Sequence, residues 1–186
     1  MNGYAMALVI HIVGALGFFM ALGLEWSSLY QARQAHTAEQ LRTWLAVARG
    51  SYRVGMPAMI VLLASGIYLM RLAWGHVDWL VVSFGALVLI VVVVVALIRP
   101  RLGRIERAVA SEQGPLAPAV VLLVQQPALW ITLQLRFALA LGIVFLMTVK
   151  PDLNGALITL AVAVVLGLIA ALPLLGRGQT QQTSTT

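Results

Sequence analysis

Five long apolar runs alternate with shorter, more polar connections along this chain. The runs cover residues 4–24, 54–73, 79–98, 128–149 and 153–175. Each has the roughly 20 residues that a helix needs to cross about 30 Å of hydrocarbon, and the alternating pattern of β-strands is absent. The pattern predicts an all-α membrane protein, in which a bundle of five transmembrane helices forms one domain over residues 1–176.

Composition favours the same class of protein. The chain is 61% hydrophobic and 10% charged, too apolar to be hidden inside a soluble globule of this size, so we expect the lipid bilayer to be its solvent. The first run lacks a basic leader and a clean cleavage site and is expected to remain as the first helix. The tail, residues 177–186, is rich in Gln, Thr and Ser and is predicted to be disordered. Cysteine is absent, which excludes disulfides and thiolate metal sites.

The basic residues predict the orientation of the bundle. Nine of the twelve Lys and Arg residues follow the first, third and fifth runs: Arg33, Arg42, Arg49, Arg53, Arg99, Arg101, Arg104, Arg107 and Arg177. Cytoplasmic connections are enriched in such residues, so the N-terminus is expected outside and the C-terminus inside a bacterial inner membrane. The net charge of +6 is therefore interpreted as topology, and no nucleic-acid partner is expected because no basic cluster is interleaved with aromatics.

Two cytoplasmic connections are predicted to contain short helices. Thr37 and Gln40 have the spacing of a capping box, and the apolar residues that follow share one helical face: Leu41, Trp44, Leu45, Ala48 and Tyr52. We expect an amphipathic cytoplasmic helix on the membrane surface, or alternatively a helix that leads into the second span with a bend near Gly55 and Pro57. Residues 119–124 predict an interfacial or re-entrant turn of helix that ends before Pro127.

Ionisable residues within spans are the candidates for chemistry because they are costly in hydrocarbon. On the first helix His11 and Glu25 fall within one sector of about 80°, with Gly14, Phe18 and Ala21 between them. On the fourth, Arg136 and Lys150 end a comparable stripe. If these helices are antiparallel neighbours, Glu25 and Arg136 form an intramembrane ion pair near the cytoplasmic side, and His11 and Lys150 form an outer polar level about 21 Å away.

These residues allow structural and functional interpretations. The Glu25–Arg136 pair would stabilise a buried guanidinium, or would serve as a gate or as an anion or proton relay. A neutral His11 could ligate haem iron or copper, bond a quinone carbonyl, carry a proton, or simply bond a neighbouring helix. A bis-His haem b would need a second ligand, for which only His76 is on the predicted outer side. We expect Lys150 to lie at the C-terminal end of the fourth helix, Pro151 to terminate that helix, and Asp152 to cap the N-terminus of the fifth.

The segment His11-Ile-Val-Gly14-Ala-Leu-Gly17-Phe-Phe, followed by Gly23-Leu-Glu25-Trp, resembles the first helix of small uncharacterised bacterial inner-membrane proteins. It is more distantly similar to the copper-resistance CopD-like and HemJ-like membrane proteins, which also begin with a His and glycines on helix one. The likeness covers about the first 25 residues, and HemJ-like proteins have four spans rather than five. The resemblance implies His11 as a ligand of haem or copper.

Three hypotheses about function follow from the sequence. The first is a non-enzymatic inner-membrane helical bundle that packs as a homo-oligomer or as a subunit of a larger membrane assembly. The second is a haem- or quinone-handling redox protein centred on His11. The third is a small transporter or channel that uses Glu25 and Arg136.

Overall fold

The computed structural model describes residues 3–74 and 77–176, and every regular element in these ranges is helical. The helices are α1 (Gly3–Arg33), α2 (Ala38–Leu69), α3 (Asp78–Val93), α4 (Arg99–Val109), α5 (Pro118–Val124), α6 (Pro127–Val149) and α7 (Leu153–Gly176). Within these ranges, five helical stretches are long and apolar enough to cross a membrane: Gly3–Arg33, Ala38–Ala73, Asp78–Val109, Pro118–Val149 and Leu153–Leu174. The predicted all-α class and the five long apolar helices are confirmed.

The chain divides into two compact units. The first contains α1 and α2 together with Gln113–Pro115, and the second contains α3 to α7. The sequence-based prediction of one domain over residues 1–176 stays a prediction. The predicted tail, residues 177–186, lies outside the described residues.

In the first unit α1 and α2 form an antiparallel hairpin. Its register is given by contacts between His11 and Ser65 and between Glu25 and Tyr52. The connection begins after Arg33, and α2 starts at Ala38. Thr37 is the N-cap, because its side-chain oxygen accepts a hydrogen bond from the Gln40 amide at 3.3 Å, as the capping-box spacing predicted.

The segment Gln113–Pro115 covers the start of α2. The Gly114 carbonyl accepts the Ala38 amide at 2.9 Å, and an isolated antiparallel bridge links Thr37 with Pro115. Gly114 has a φ of +73°, which glycine adopts without the penalty that a Cβ would bring. This turn therefore satisfies one of the amide groups that a helix N-terminus leaves without an intrahelical partner.

The predicted amphipathic helix is not a separate element. Residues 38–53 are the first half of α2, which continues through Gly55 and Pro57 into the apolar stretch. The apolar face expected to enter the membrane surface is instead inside the protein, since Leu41, Leu45 and Ala48 are buried. The alternative, a helix that leads into the apolar stretch, is confirmed, and its bend near Gly55 and Pro57 stays a prediction. Sequence periodicity identified the apolar face but could not distinguish lipid from a neighbouring helix as the surface that covers it.

Proline accounts for the irregular helical segment between α3 and α4. A five-residue π-helical segment, Val94–Ile98, joins the two helices, and Pro100 follows in the first turn of α4. Proline has no amide hydrogen to donate and its ring clashes with the carbonyl four residues earlier, at Ala96, so the regular ladder is disrupted there. The Arg101 guanidinium donates to the Leu97 carbonyl at 2.6 Å. A second π-helical segment, Met70–Trp74, extends α2.

In the second unit α6 and α7 form another antiparallel hairpin, and α3 packs on α6. Pro127 is the first residue of α6, as predicted, and the short helix before it is α5. The Trp130 indole donates to the Val124 carbonyl at 3.1 Å, which ties the start of α6 to the end of α5. Small residues allow α6 and α7 to approach closely: a Cβ on Gly167 would stand 3.0 Å from the Ala138 Cβ.

Large apolar side chains remain exposed on all five long stretches. One example from each stretch is Leu16 at 66%, Ile60 at 62%, Val81 at 61%, Leu141 at 52% and Ile158 at 63%. A soluble monomer rarely exposes apolar surface on this scale. The two hairpins thus bury narrow seams of small residues and leave broad apolar faces outward.

Candidate functional site

The polar groups of α1 lie at two levels of the first hairpin, around His11 and around Glu25. They are fourteen residues apart, which corresponds to about 21 Å along a helix. The predicted face is confirmed as the inner face of α1, since Gly14, Phe18, Ala21 and Glu25 are buried and His11 is half-buried.

At the first level the imidazole of His11 contacts α2. Its Nδ1 lies 3.1 Å from the Ser65 hydroxyl, and its Cε1 would stand 3.2 Å from a Cβ built on Gly66. Gly66 therefore leaves room for the ring, which a larger residue would displace. The predicted bond to a neighbouring helix is present, and α2 supplies it.

The bonds of Ser65 indicate which ring nitrogen carries the proton. Its hydroxyl donates to the Val61 carbonyl at 2.6 Å and has only one hydrogen. When that hydrogen is used for the Val61 carbonyl, the Ser65 oxygen accepts from His11 and Nδ1 is the donor. In the neutral imidazole this arrangement leaves the lone pair on Nε2, the nitrogen suited to ligate a metal or to accept a hydrogen bond.

Glycines bring the two helices into close contact between the polar levels. A Cβ on Gly14 would stand 3.1 Å from the Leu62 backbone nitrogen. A Cβ on Gly17 would stand 3.1 Å from the Ala58 Cβ, and a Cβ on Gly55 would stand 3.1 Å from the Ala21 Cβ. No side chain larger than glycine fits beside the Leu62 backbone without a shift. This seam fixes how close α1 and α2 can be, and so positions the polar residues at either end.

At the second level the Glu25 carboxylate is 3% exposed and accepts a hydrogen bond from the Tyr52 hydroxyl at 2.9 Å. A buried carboxylate needs such donors because it has lost its water. Tyr52 was predicted to lie on the apolar face of its helix, and its role as a partner of Glu25 was missed. The antiparallel register that joins His11 to Ser65 also brings Tyr52 to Glu25, and that register is seen only in the tertiary structure.

Arg136 and Gln134 are the corresponding polar residues of α6 in the second unit. Arg136 is 3% exposed. Gln134 donates from its side-chain amide to the Ala170 carbonyl of α7 at 3.2 Å, a bond across helices. Glu25 lies in the first unit and Arg136 in the second, and their ion pair stays a prediction.

The turn between α6 and α7 has the predicted construction. Lys150 ends α6 with a φ of 54°, in the left-handed region, and its amide donates to the Leu146 carbonyl at 3.0 Å. Asp152 caps α7, because its carboxylate accepts the Gly155 amide at 2.9 Å. Lys150 itself is exposed. The outer polar level proposed for His11 and Lys150 joins the two units and stays a prediction.

The remaining histidines give His11 no second ligand within the described chain. His76 lies outside the described residues. His36 follows the end of α1, and Arg33 at that end is already about 33 Å along the helix from His11. Across residues 3–74 and 77–176, no group of three or more His, Asp or Glu side chains could hold a metal ion.

Comparisons of the chain with protein families, with curated proteins and with solved structures gave no match.

Proposed function

We propose that this protein is a multi-pass component of a bacterial inner membrane, a non-enzymatic helical bundle that packs as a homo-oligomer or as a subunit of a larger membrane assembly. The observation that carries the proposal is the exposed apolar surface on all five long helical stretches. Lipid tails or other transmembrane helices are the surroundings that such faces require.

The polar groups of the first hairpin support a structural role. Ser65 forms hydrogen bonds with His11 and with the backbone of its own helix, and Tyr52 forms a hydrogen bond with Glu25. In the second unit the side chain of Gln134 bonds the backbone of α7. These bonds connect neighbouring helices and compensate for the lost hydration of polar groups. An assembly component needs such internal bonds and needs no catalytic constellation.

Membrane residence and assembly are tested in sequence. Membranes from cells that express the protein are washed with alkaline carbonate, and the protein is expected to stay in the pellet. It is then reconstituted into nanodiscs with excess lipid, and the copies per disc are counted by single-molecule photobleaching. More than one copy per disc, or co-purification of a constant partner, supports the assembly role. Release by carbonate contradicts membrane residence, and single copies without a partner contradict assembly.

The second candidate function is redox chemistry at His11, and the specific observation is the bond from Nδ1 to Ser65. It leaves the lone pair on Nε2, which could then bind haem iron or accept a hydrogen bond from a quinol hydroxyl. A bound haem would supply the electron transfer. The described residues fit one protein ligand to it, and a bis-His site would require a ligand from elsewhere.

The visible absorption spectrum of the purified protein tests this candidate. If His11 ligates haem, the wild-type protein has a Soret band that His11→Ala abolishes or shifts. Ser65→Ala removes the acceptor that orients the ring, so a smaller shift is expected. Lack of a Soret band in protein purified from haem-replete cells, or an identical band in His11→Ala, excludes His11 as a haem ligand.

A further inference from the structure

One exposed face of α2 changes from basic to apolar within a turn. Arg42, Arg49 and Arg53 lie on this face, and the side chains that continue it are Met56 and Ile60. Arg49 and Arg53 are exposed, and so are Met56 at 57% and Ile60 at 62%. The basic and the apolar residues are therefore both on the surface, so the change is not one from surface to core.

The exposed surface of α1 also stops being apolar at this level of the hairpin. Its exposed apolar residues end with Met20 and Leu24. The contacts of Ala21 with Gly55 and of Glu25 with Tyr52 place Leu24 level with Arg53. If both helices cross the same boundary between hydrocarbon and water, their exposed side chains should change from polar to apolar at the same level. We place that plane at Leu24 and Arg53.

Helix lengths agree with this placement. From Tyr4 to Leu24 is about 30 Å, the thickness of the hydrocarbon. Beyond the plane α1 continues for about 14 Å to Arg33, and α2 reaches back about 22 Å to Ala38. The hairpin thus projects out of the membrane, with the buried residues Leu41, Leu45 and Ala48 inside the projection.

The three arginines stand at different distances from the plane. The headgroup layer is about 5–8 Å thick on each side of the hydrocarbon. Arg53 lies at the plane and Arg49 about 6 Å beyond it, so both are within the headgroup layer. Arg42 is about 16 Å beyond the plane, and its guanidinium is 3.2 Å from the Glu39 carboxylate.

We propose that Arg49 and Arg53 bind the phosphate groups of anionic phospholipids, and that this contact fixes the depth of the α1–α2 hairpin. The proposal rests on the proposed membrane residence. A guanidinium presents several donors in a planar fork that fits phosphate oxygens, and an anionic leaflet attracts positive side chains held near its surface. Residues on one face, four apart, can contact adjacent headgroups.

Lipid competition around the protein reconstituted in nanodiscs tests the contact, with spin-labelled phosphatidylglycerol and phosphatidylcholine as probes. Each arginine near an anionic surface is expected to contribute about fivefold to lipid affinity. The R49Q/R53Q variant should therefore lose about 25-fold in affinity for phosphatidylglycerol, with little change for phosphatidylcholine. R49K/R53K should keep most of the affinity because the charge remains.

The matched control is R42Q, which removes the same charge from the same face beyond the headgroup layer. It should bind phosphatidylglycerol as the wild type does. Unchanged binding by R49Q/R53Q, or an equal loss in R42Q, would overturn the proposal. If the double variant does not fold, R49Q and R53Q are measured singly, each with an expected fivefold loss. Release of the wild-type protein by carbonate contradicts membrane residence by a separate readout.

Discussion

Buried hydroxyl groups in these helices differ in whether they have a partner. Ser51 donates to the Ala48 carbonyl at 2.7 Å, whereas the Ser83 oxygen in α3 is buried with no hydrogen-bond partner within the described residues. A buried polar group without a partner has lost its hydration without compensation. The two serines therefore offer a direct test of how hydroxyl groups contribute to stability here.

Replacement of Ser83 by Ala is expected to stabilise the protein by about 1 kcal/mol, because it removes a buried hydroxyl that makes no bond. Ser51→Ala is the matched control and should give no gain, since it removes a bonded hydroxyl. The midpoint of thermal unfolding in detergent measures both changes. Destabilisation by Ser83→Ala would show that its hydroxyl has a partner in the folded protein.

The predicted pair of Glu25 and Arg136 is tested by a double-mutant cycle. If they interact, Glu25→Gln and Arg136→Gln should each destabilise the protein, by up to about 3 kcal/mol in a dry site, because each leaves a buried charge without its counter-charge. The double variant should recover part of that loss. Additive effects would contradict the pair. A stable double variant that loses a transport or proton-flux phenotype would identify the pair as a gate.

At the scale of helices, close contact depends on a few glycines whose neighbours are backbone atoms. Gly14 faces the Leu62 nitrogen and the Ala58 carbonyl of α2, whereas a Cβ on Gly23 of the same helix would have no neighbour within 4 Å. Backbone atoms cannot move aside as the end of a flexible side chain can. The same substitution should therefore have opposite effects at these two positions.

Gly14→Ala is expected to destabilise the hairpin by about 1–3 kcal/mol, since the added methyl group must separate the two helices. Gly23→Ala should be neutral or stabilise by up to about 1 kcal/mol, because alanine is the better helix former and the space is open. Unfolding in detergent, followed by circular dichroism, compares the two variants. Equal effects would contradict the register of α1 against α2.

At the scale of the whole molecule, the distribution of basic residues predicts the orientation in the membrane. Reporters fused at Gly75 or Asn154 should be found outside, and those at His36, Glu112 or Gly178 inside, because segments rich in Arg are retained in the cytoplasm. Alkaline phosphatase and a fluorescent protein, active on opposite sides of the membrane, provide the readout. Reversal at two sites would contradict the orientation.

The sequence by itself determined the helical class, the five long apolar stretches, the Thr37 cap, the start of α6 at Pro127 and the face of α1 that His11 and Glu25 share. Each of these depends on local composition or on the 3.6-residue period, which neighbours in the chain specify. The turn at Asp152 was also predictable, because capping involves residues within one helical turn.

Only the tertiary structure decided which surfaces meet. It showed that the apolar face of residues 38–53 is buried within the protein, that Ser65 and Gly66 surround the His11 ring, and that Tyr52 bonds Glu25. Periodicity identifies an apolar face but does not specify whether lipid or another helix covers it. The register between α1 and α2 depends on glycines that are far apart in sequence, and so it could not be read from either helix alone.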